Sequence, residues 1–214
     1  MRIGNAPDIT PGGPETYASY GRPWANLSNT PFREFKHWVH EGGIATPFIV
    51  HWPAGLGVEG SVVHAPHQLP DVMATVLDVT DACYPPTGSE GVHPCEGSTM
   101  LPSWRGEQPH PDRALHFEHE GNGAIRVGDD KLVRRYHEDQ RRDGPWELYD
   151  LAVDRTEQHD LARERPDRVT ELAGRWQQWA DRCGVKDRTQ VLQVTPTKAL
   201  TNHTYPSART TTRG

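Results

Sequence analysis

The chain has 214 residues, with 29 acidic against 23 basic side chains and a formal net charge of -6. That length suits one large or two small domains, and the acidic balance leaves no broad basic field for nucleic acid or an anionic membrane. Only 34% of the residues are hydrophobic, while 20 are Gly and 19 are Pro, so long turn-rich connections are expected and the apolar residues must gather in a few elements.

Residues 1–30 read as coil, because Pro7, Pro11, Gly12, Gly13, Pro14, Gly21 and Pro23 interrupt any long regular element. The stretch TPFIVHW, residues 46–52, alternates Phe48, Val50 and Trp52 with Ile49 and His51 between Pro47 and Pro53. Its β-branched and aromatic content predicts a short, well-buried strand. In residues 69–79, Leu69, Val72, Met73, Val76, Leu77 and Val79 recur at helical spacing, with Pro70 in the first turn. Residues 81–111 form a long loop rich in Pro and Gly, of a kind that wraps over a larger body.

Four runs follow: RALHFEHE, GAIRVGD, DKLVRRYH and PWELYDL. Their spacing and the Gly, Asn and Asp between them predict a small antiparallel sheet with one covered face. The cover is the helix predicted over 166–182, where Val169, Leu172, Ala173, Trp176, Trp179 and Ala180 make one apolar stripe. Pro166 opens it and Gly184 closes it. Residues 186–214, rich in Thr, read as a flexible tail. The expected organisation is thus 1–111 as the edge of a larger α/β body, 112–185 as sheet plus helix, and 186–214 as tail.

Cys83, Cys95 and Cys183 form no CxxC pair, which argues against a zinc ribbon or redox dithiol. A Cys83–Cys95 disulfide and free thiols both stay open. The first residues lack an apolar signal-peptide core, and no apolar run approaches a membrane span. The default expectation is a cytoplasmic chain with no membrane or nucleic-acid partner.

The densest chemistry lies in NTPFREFKHWVHEGGIATPFIVHWPAG, residues 29–55. Lys36 offers a compact charge suited to a tetrahedral oxyanion, and Arg33 a planar fork. Gly42 and Gly43 let the backbone pass close to another group. Read locally, Arg33, Lys36 and His37 occupy a solvated face, Glu41 ends a helical turn, and His51 and His64 are satisfied structural histidines. No GxSxG, P-loop, GxGxxG or HExxH is present. His116, Glu118, His119 and Glu120 crowd together, but strand alternation puts His119 opposite the other three. No metal ligand is assigned there, and hydrogen bonding between subdomains is expected instead.

Several segments, in order, resemble the C-terminal portion of an arylsulfatase of the sulfatase family, in the alkaline-phosphatase-like superfamily. They are GPETYASYGRPWANLSNTPFREFKHWVHEGGIATPFIVHWPAG, HQLPDVMATVLDV, EGSTMLPSWRG, LHFEHEGNGAIRVGDDKLV and WELYDLAVDRTEQHDL. The resemblance implies a fold: the α/β edge of a sulfatase-type sandwich, then a small subdomain of four-stranded antiparallel sheet packed on one helix. It also implies hydrolysis of sulfate esters by a formylglycine made from Cys or Ser in C/S-x-P-x-R, with calcium held by acidic and amide side chains. In N-T-P-F-R-x-x-K the lysine contacts the sulfate, and that position is Lys36. His40 matches the motif without an assigned role.

The chain departs from that pattern at one point. Cys83-Tyr84-Pro85-Pro86-Thr87 has the C-x-P start but Thr87 where Arg is required, and it follows the lysine segment instead of preceding it. The remaining nucleophile and metal positions of the pattern would lie before Met1. The expectation is a C-terminal fragment that holds no cofactor of its own and is inactive alone, with the missing N-terminal half as its partner. The alternative is a non-catalytic, partner-binding protein derived from a sulfatase. A related phosphoesterase fits less well, because N-T-P-F-R-x-x-K followed by E-G-G points to sulfatases.

Overall fold

The computed structural model describes residues 2–3, 9–10, 12–14, 16–17, 21–57, 60–86, 91–107 and 112–194. Two two-residue strands, β1 (Arg2–Ile3) and β2 (Thr16–Tyr17), pair in parallel. Helix α1 (Gly21–Ser28) then forms where coil was expected. Pro23 does not prevent it, because the first turn of a helix has no use for that residue's missing N–H.

Four short helices follow along the first half: α2 (Glu41–Ile44), α3 (Pro53–Leu56), α4 (Leu69–Thr80), which is longer, and α5 (Leu101–Trp104) inside the expected loop. The strand expected over 46–52 is absent. Those residues have no regular structure, and Phe48 and Ile49 are 60% and 89% exposed. A strand needs a neighbour to satisfy its backbone groups, and no described residue pairs with this one.

Helix α4 begins at the expected place, with Pro at its first turn, but its burial is inverted. Asp71 and Thr75 are its buried residues, while Leu69 is 84% exposed and Met73 and Val76 are half exposed. Asp71 is the reason the polar side faces inward. It accepts hydrogen bonds from the backbone of Gln68 (2.8 Å) and Ser98 (2.9 Å) and pairs with Arg113 at 2.5 Å. Burial raises the Asp71 carboxyl, and these partners outweigh it and lower it below the ordinary range. Thr75 accepts from the Met100 backbone at 2.9 Å. The double variant Ile49→Lys, Met73→Lys is expected to leave the unfolding free energy within about 0.5 kcal/mol, as at other surface sites. A urea titration showing a core-sized loss would contradict the exposure of both side chains.

The four predicted runs form one antiparallel sheet in the order β3 (Ala114–His119), β4 (Asn122–Val127), β5 (Asp130–His137) and β6 (Arg142–Asp150). Tight turns fix its register: Glu120 and Gly121 both have positive φ between β3 and β4, as the hairpin twist demands. Helix α6 (Pro166–Cys183) covers one face and ends on Gly184 in the left-handed conformation. Leu172, Trp176 and Ala180 pack there on Ile125, Val127, Leu132 and Leu148. Arg165 and Arg168 grip Asp130 at 2.8–3.1 Å, tying the start of α6 to β5.

The second face is covered as well, which the sequence reading did not anticipate. Val39 and Ile44 pack on Ala124, Val133, Tyr149 and Leu151. The segment carrying Lys36 is thus laid across the sheet. Helix α7 (Arg188–Val194) occupies the start of the expected tail, and residues 195–214 lie outside those described. No helix is long and apolar enough to cross a membrane among the described residues.

Candidate functional site

The segment from Phe32 to Ala45 is held by charges on one side and by glycines on the other. Glu41 is buried, not the end of a solvated turn, and accepts from Lys131 Nζ at 2.9 Å. Lys131 also lies 2.8 Å from Glu157 Oε1, close enough for an ion pair though not aligned as a hydrogen bond. The Glu157 carboxylate in turn accepts from the Glu41 backbone N–H at 2.9 Å. All three side chains are shielded from water, and Arg155 adds a longer contact to Glu41 Oε2 at 3.6 Å.

Arg33 is not on a solvated face either. Its Nη1 donates to Glu147 Oε2 (3.0 Å), Tyr149 Oη (2.8 Å) and the Glu157 carbonyl (3.2 Å). Tyr149 donates to Glu147 at 2.5 Å. His40 is 0% exposed with Nε2 at 3.6 Å from Glu147, and neither of its ring nitrogens has a hydrogen-bond partner. Burial pushes the Glu147 carboxyl up, but His40, Tyr149 and Arg33 outweigh it and hold it at about 2. Burial and the same carboxylate raise the Tyr149 phenol.

A lowered folded-state carboxyl contributes stability that is present above its unfolded value and is lost as pH falls through its folded value. Stability is therefore expected to decline from the ordinary range near 4.5 down to about 2. Thermal unfolding of Glu147→Gln across that range should show a flatter acid limb. A limb as steep as in the parent would mean that another carboxyl governs it.

Gly42 and Gly43 do what their pairing suggested. A Cβ on Gly43 would lie 2.0 Å from the Trp38 carbonyl oxygen, and one on Gly42 would lie 2.2 Å from that of Glu34. Gly43→Ala should cost on the order of 1–3 kcal/mol through this overpacking, read as a lower urea midpoint with an unchanged slope.

Held this way, the segment presents Lys36 to solvent. Lys36 is exposed, forms no ion pair with a described residue, and lines a cleft of about 420 Å³. His37, Trp38, His116, His119 and Trp179 share that cleft. His116 stacks on Trp179 with centroids 5.1 Å apart and planes 9° apart. Burial, helped by Arg175 and Arg182, lowers its imidazole to about 4, so it is neutral at pH 7. Glu118 accepts from the Gly121 backbone at 2.9 Å.

Strand alternation misplaces Glu120. The strand ends at His119, and the positive φ of Glu120 turns it back beside that residue. His51 and His64 are exposed, not core histidines. Cys83, Cys95 and Cys183 are all free thiols.

The described residues do not fit the groups that the resemblance implies. Calcium takes about six to eight oxygen ligands. Among the described residues, the one His, Cys, Asp or Glu group close enough to share an ion is His37, His119 and Glu120, which is rich in nitrogen. Cys83 lacks the Arg that formylglycine formation requires at position 87, where Thr stands.

The sequence reading missed Glu41, Lys131, Glu147, Tyr149 and Glu157. The signal was there in part: period-two alternation puts Lys131 beside Val133, and Glu147 beside Tyr149, on one face. Two charges on an otherwise apolar face ask for partners.

No protein-family model matches the chain. An uncharacterized sulfatase of Schizosaccharomyces pombe is 29% identical over 172 residues, which are 78% of this chain and 30% of that protein. The similarity supports the sulfatase family, and the chain spans about a third of the length of that curated relative. Two solved structures are more distant. Ps i-CgsB in complex with k-i-k-neocarrahexaose is 23% identical with a TM-score of 0.40, covering 51% of this chain and 23% of that one. BT4656 in complex with its substrate D-glucosamine-2-N,6-O-disulfate is 20% identical with a TM-score of 0.40, covering 56% and 25%.

Proposed function

We propose that these residues are the C-terminal part of a sulfatase, an arylsulfatase-type hydrolase of sulfate esters, and that Lys36 is its sulfate-binding cation. The observation that carries this reading is the placement of Lys36: an exposed ammonium with no ion-pair partner among the described residues, at a cleft, on a segment locked to the sheet by the Glu41–Lys131–Glu157 triad. A fixed cation of that kind stabilises charge that develops on a sulfuryl group more than it stabilises the ground state. The 29% alignment with a sulfatase supports the same reading.

The polypeptide of 214 residues is proposed to be inactive by itself, since it carries neither a complete C/S-x-P-x-R motif nor an oxygen-rich cation site among its described residues. Losing members of a catalytic unit removes orders of magnitude of rate. The inverted burial of α4 and the exposed Phe48 and Ile49 also favour docking onto a further α/β body. That same surface would serve the alternative, a partner-binding protein without catalysis.

The test is hydrolysis of 4-nitrophenyl sulfate with calcium, by the purified chain and by a longer polypeptide that adds a sulfatase-type region with C-x-P-x-R before it. The longer form is expected to turn over and the chain alone is not. In the longer form, Lys36→Ala should lower kcat/KM by roughly 10²–10³, the usual loss for one stabilising group. Turnover by the chain alone would sink the claim of inactivity, and an unaffected Lys36→Ala would remove the role given to Lys36.

A further inference from the structure

We propose that His37, His119 and Glu120 form a binding site for a borderline divalent cation of the Zn²⁺ type. One donor atom from each of the three side chains lies within 4.8 Å of the others, and His37 Nδ1 is already 2.7 Å from Glu120 Oε2. The two imidazole rings meet edge to face at 5.7 Å. A tetrahedral zinc with ligands at about 2.0–2.1 Å holds them roughly 3.4 Å apart. Small side-chain rotations close that gap, with no movement of the backbone.

The backbone assembles the three donors from two distant parts of the chain. His37 has φ 104° and Glu120 has φ 52°, conformations uncommon for residues with side chains. In the covering segment the first turns the His37 imidazole toward the β3–β4 hairpin. At the hairpin the second brings Glu120 round beside His119. Buried Asn122 ties the two parts together: its Nδ2 donates to the His119 carbonyl at 2.9 Å and reaches the His37 carbonyl at 3.5 Å. Cross-linking of this kind fixes the donors before a cation arrives.

The donor chemistry selects the ion. Two imidazoles and one carboxylate suit zinc and its transition-metal neighbours, whereas calcium and magnesium demand more oxygens. Three protein donors leave a fourth position open, as in zinc sites that accept a water or an anion. His37 and His119 also line the cleft that holds Lys36, so a bound cation adds positive charge at its mouth. Arg188 lies 3.8 Å from Glu120 Oε2 and competes for that carboxylate, which weakens the cation's hold on it. On binding, the cation takes the place of the direct His37–Glu120 contact.

Calorimetric titration of the chelator-stripped full chain with ZnCl₂ tests the site. One equivalent is expected to bind with micromolar Kd. His37→Ala and His119→Ala should each weaken it at least about tenfold, because even loss of a group that only supports a ligand costs that much. His51→Ala, at an exposed histidine outside the cluster, should bind as the parent does. Metal-free melting curves confirm that the variants fold, and His119→Gln replaces His119→Ala if the latter does not. Absence of stoichiometric binding, parental affinity in both His37→Ala and His119→Ala, or calcium binding as strong as zinc would each overturn the proposal.

Discussion

Replacing Lys131 by Met is expected to lower the unfolding free energy of the chain by roughly 3–5 kcal/mol, the cost of stranding buried charge after its partner is removed. Lys131 is 0% exposed, and it lies between Glu41 and Glu157, which are almost equally shielded. Met fills much of the lysine's volume, so the loss comes from the two carboxylates and not from a cavity. A domain of ordinary stability has about 5–15 kcal/mol to lose, so the variant should be marginal at 37 °C. Adding Glu41→Gln and Glu157→Gln should recover part of the loss, because neutral side chains carry no ionic desolvation penalty. Urea denaturation of the three proteins measures both effects. A loss under about 1 kcal/mol in Lys131→Met would mean that the triad does not form.

The same variant bears on the site. Glu41 follows Lys36 by five positions, and its backbone N–H is held by Glu157 at 2.9 Å. Without Lys131 the two carboxylates repel, and that hydrogen bond is the first to yield. Faster hydrogen exchange at Glu41 and Gly42, with little change in α6, would trace the loss to the segment that presents Lys36.

The parts of the fold legible in the sequence were those whose partners lie close along the chain. β3 to β6 follow from alternation and from the turns between them, and α6 follows from its stripe, Pro166 and Gly184. What was not legible depends on distant partners. Residues 46–52 have the composition of a buried strand, but composition cannot supply a neighbour, and Ile49 is 89% exposed. The α4 stripe gave the helix but not which face turns inward, because Arg113 and Ser98 decide that through Asp71. Lys36 was singled out by motif resemblance. The groups that position it were missed, since Glu41 finds Lys131 90 residues away.

Trp176→Ala should be as damaging as the loss of Lys131, at about 3–5 kcal/mol, but by a different route. Trp176 is 3% exposed in the core between α6 and the sheet. Its indole lies over Gly123, where a Cβ would come within 2.8 Å of the ring, and it meets Trp146 edge to face at 5.6 Å. Its Nε1 donates to the Phe117 carbonyl at 3.1 Å. Truncation therefore opens a cavity, removes an aromatic contact and loses a hydrogen bond. Trp176→Phe keeps most of the apolar volume and loses the hydrogen bond, so it should cost only about 1–3 kcal/mol. The two faces of the sheet then separate by hydrogen exchange: Trp176→Ala should expose the amides of α6 first, and Lys131→Met those of residues 39–43. Equal loss of protection on both faces in both variants would mean that the sheet and its two covers open as one unit, and Lys36 would then owe its position as much to α6 as to the triad.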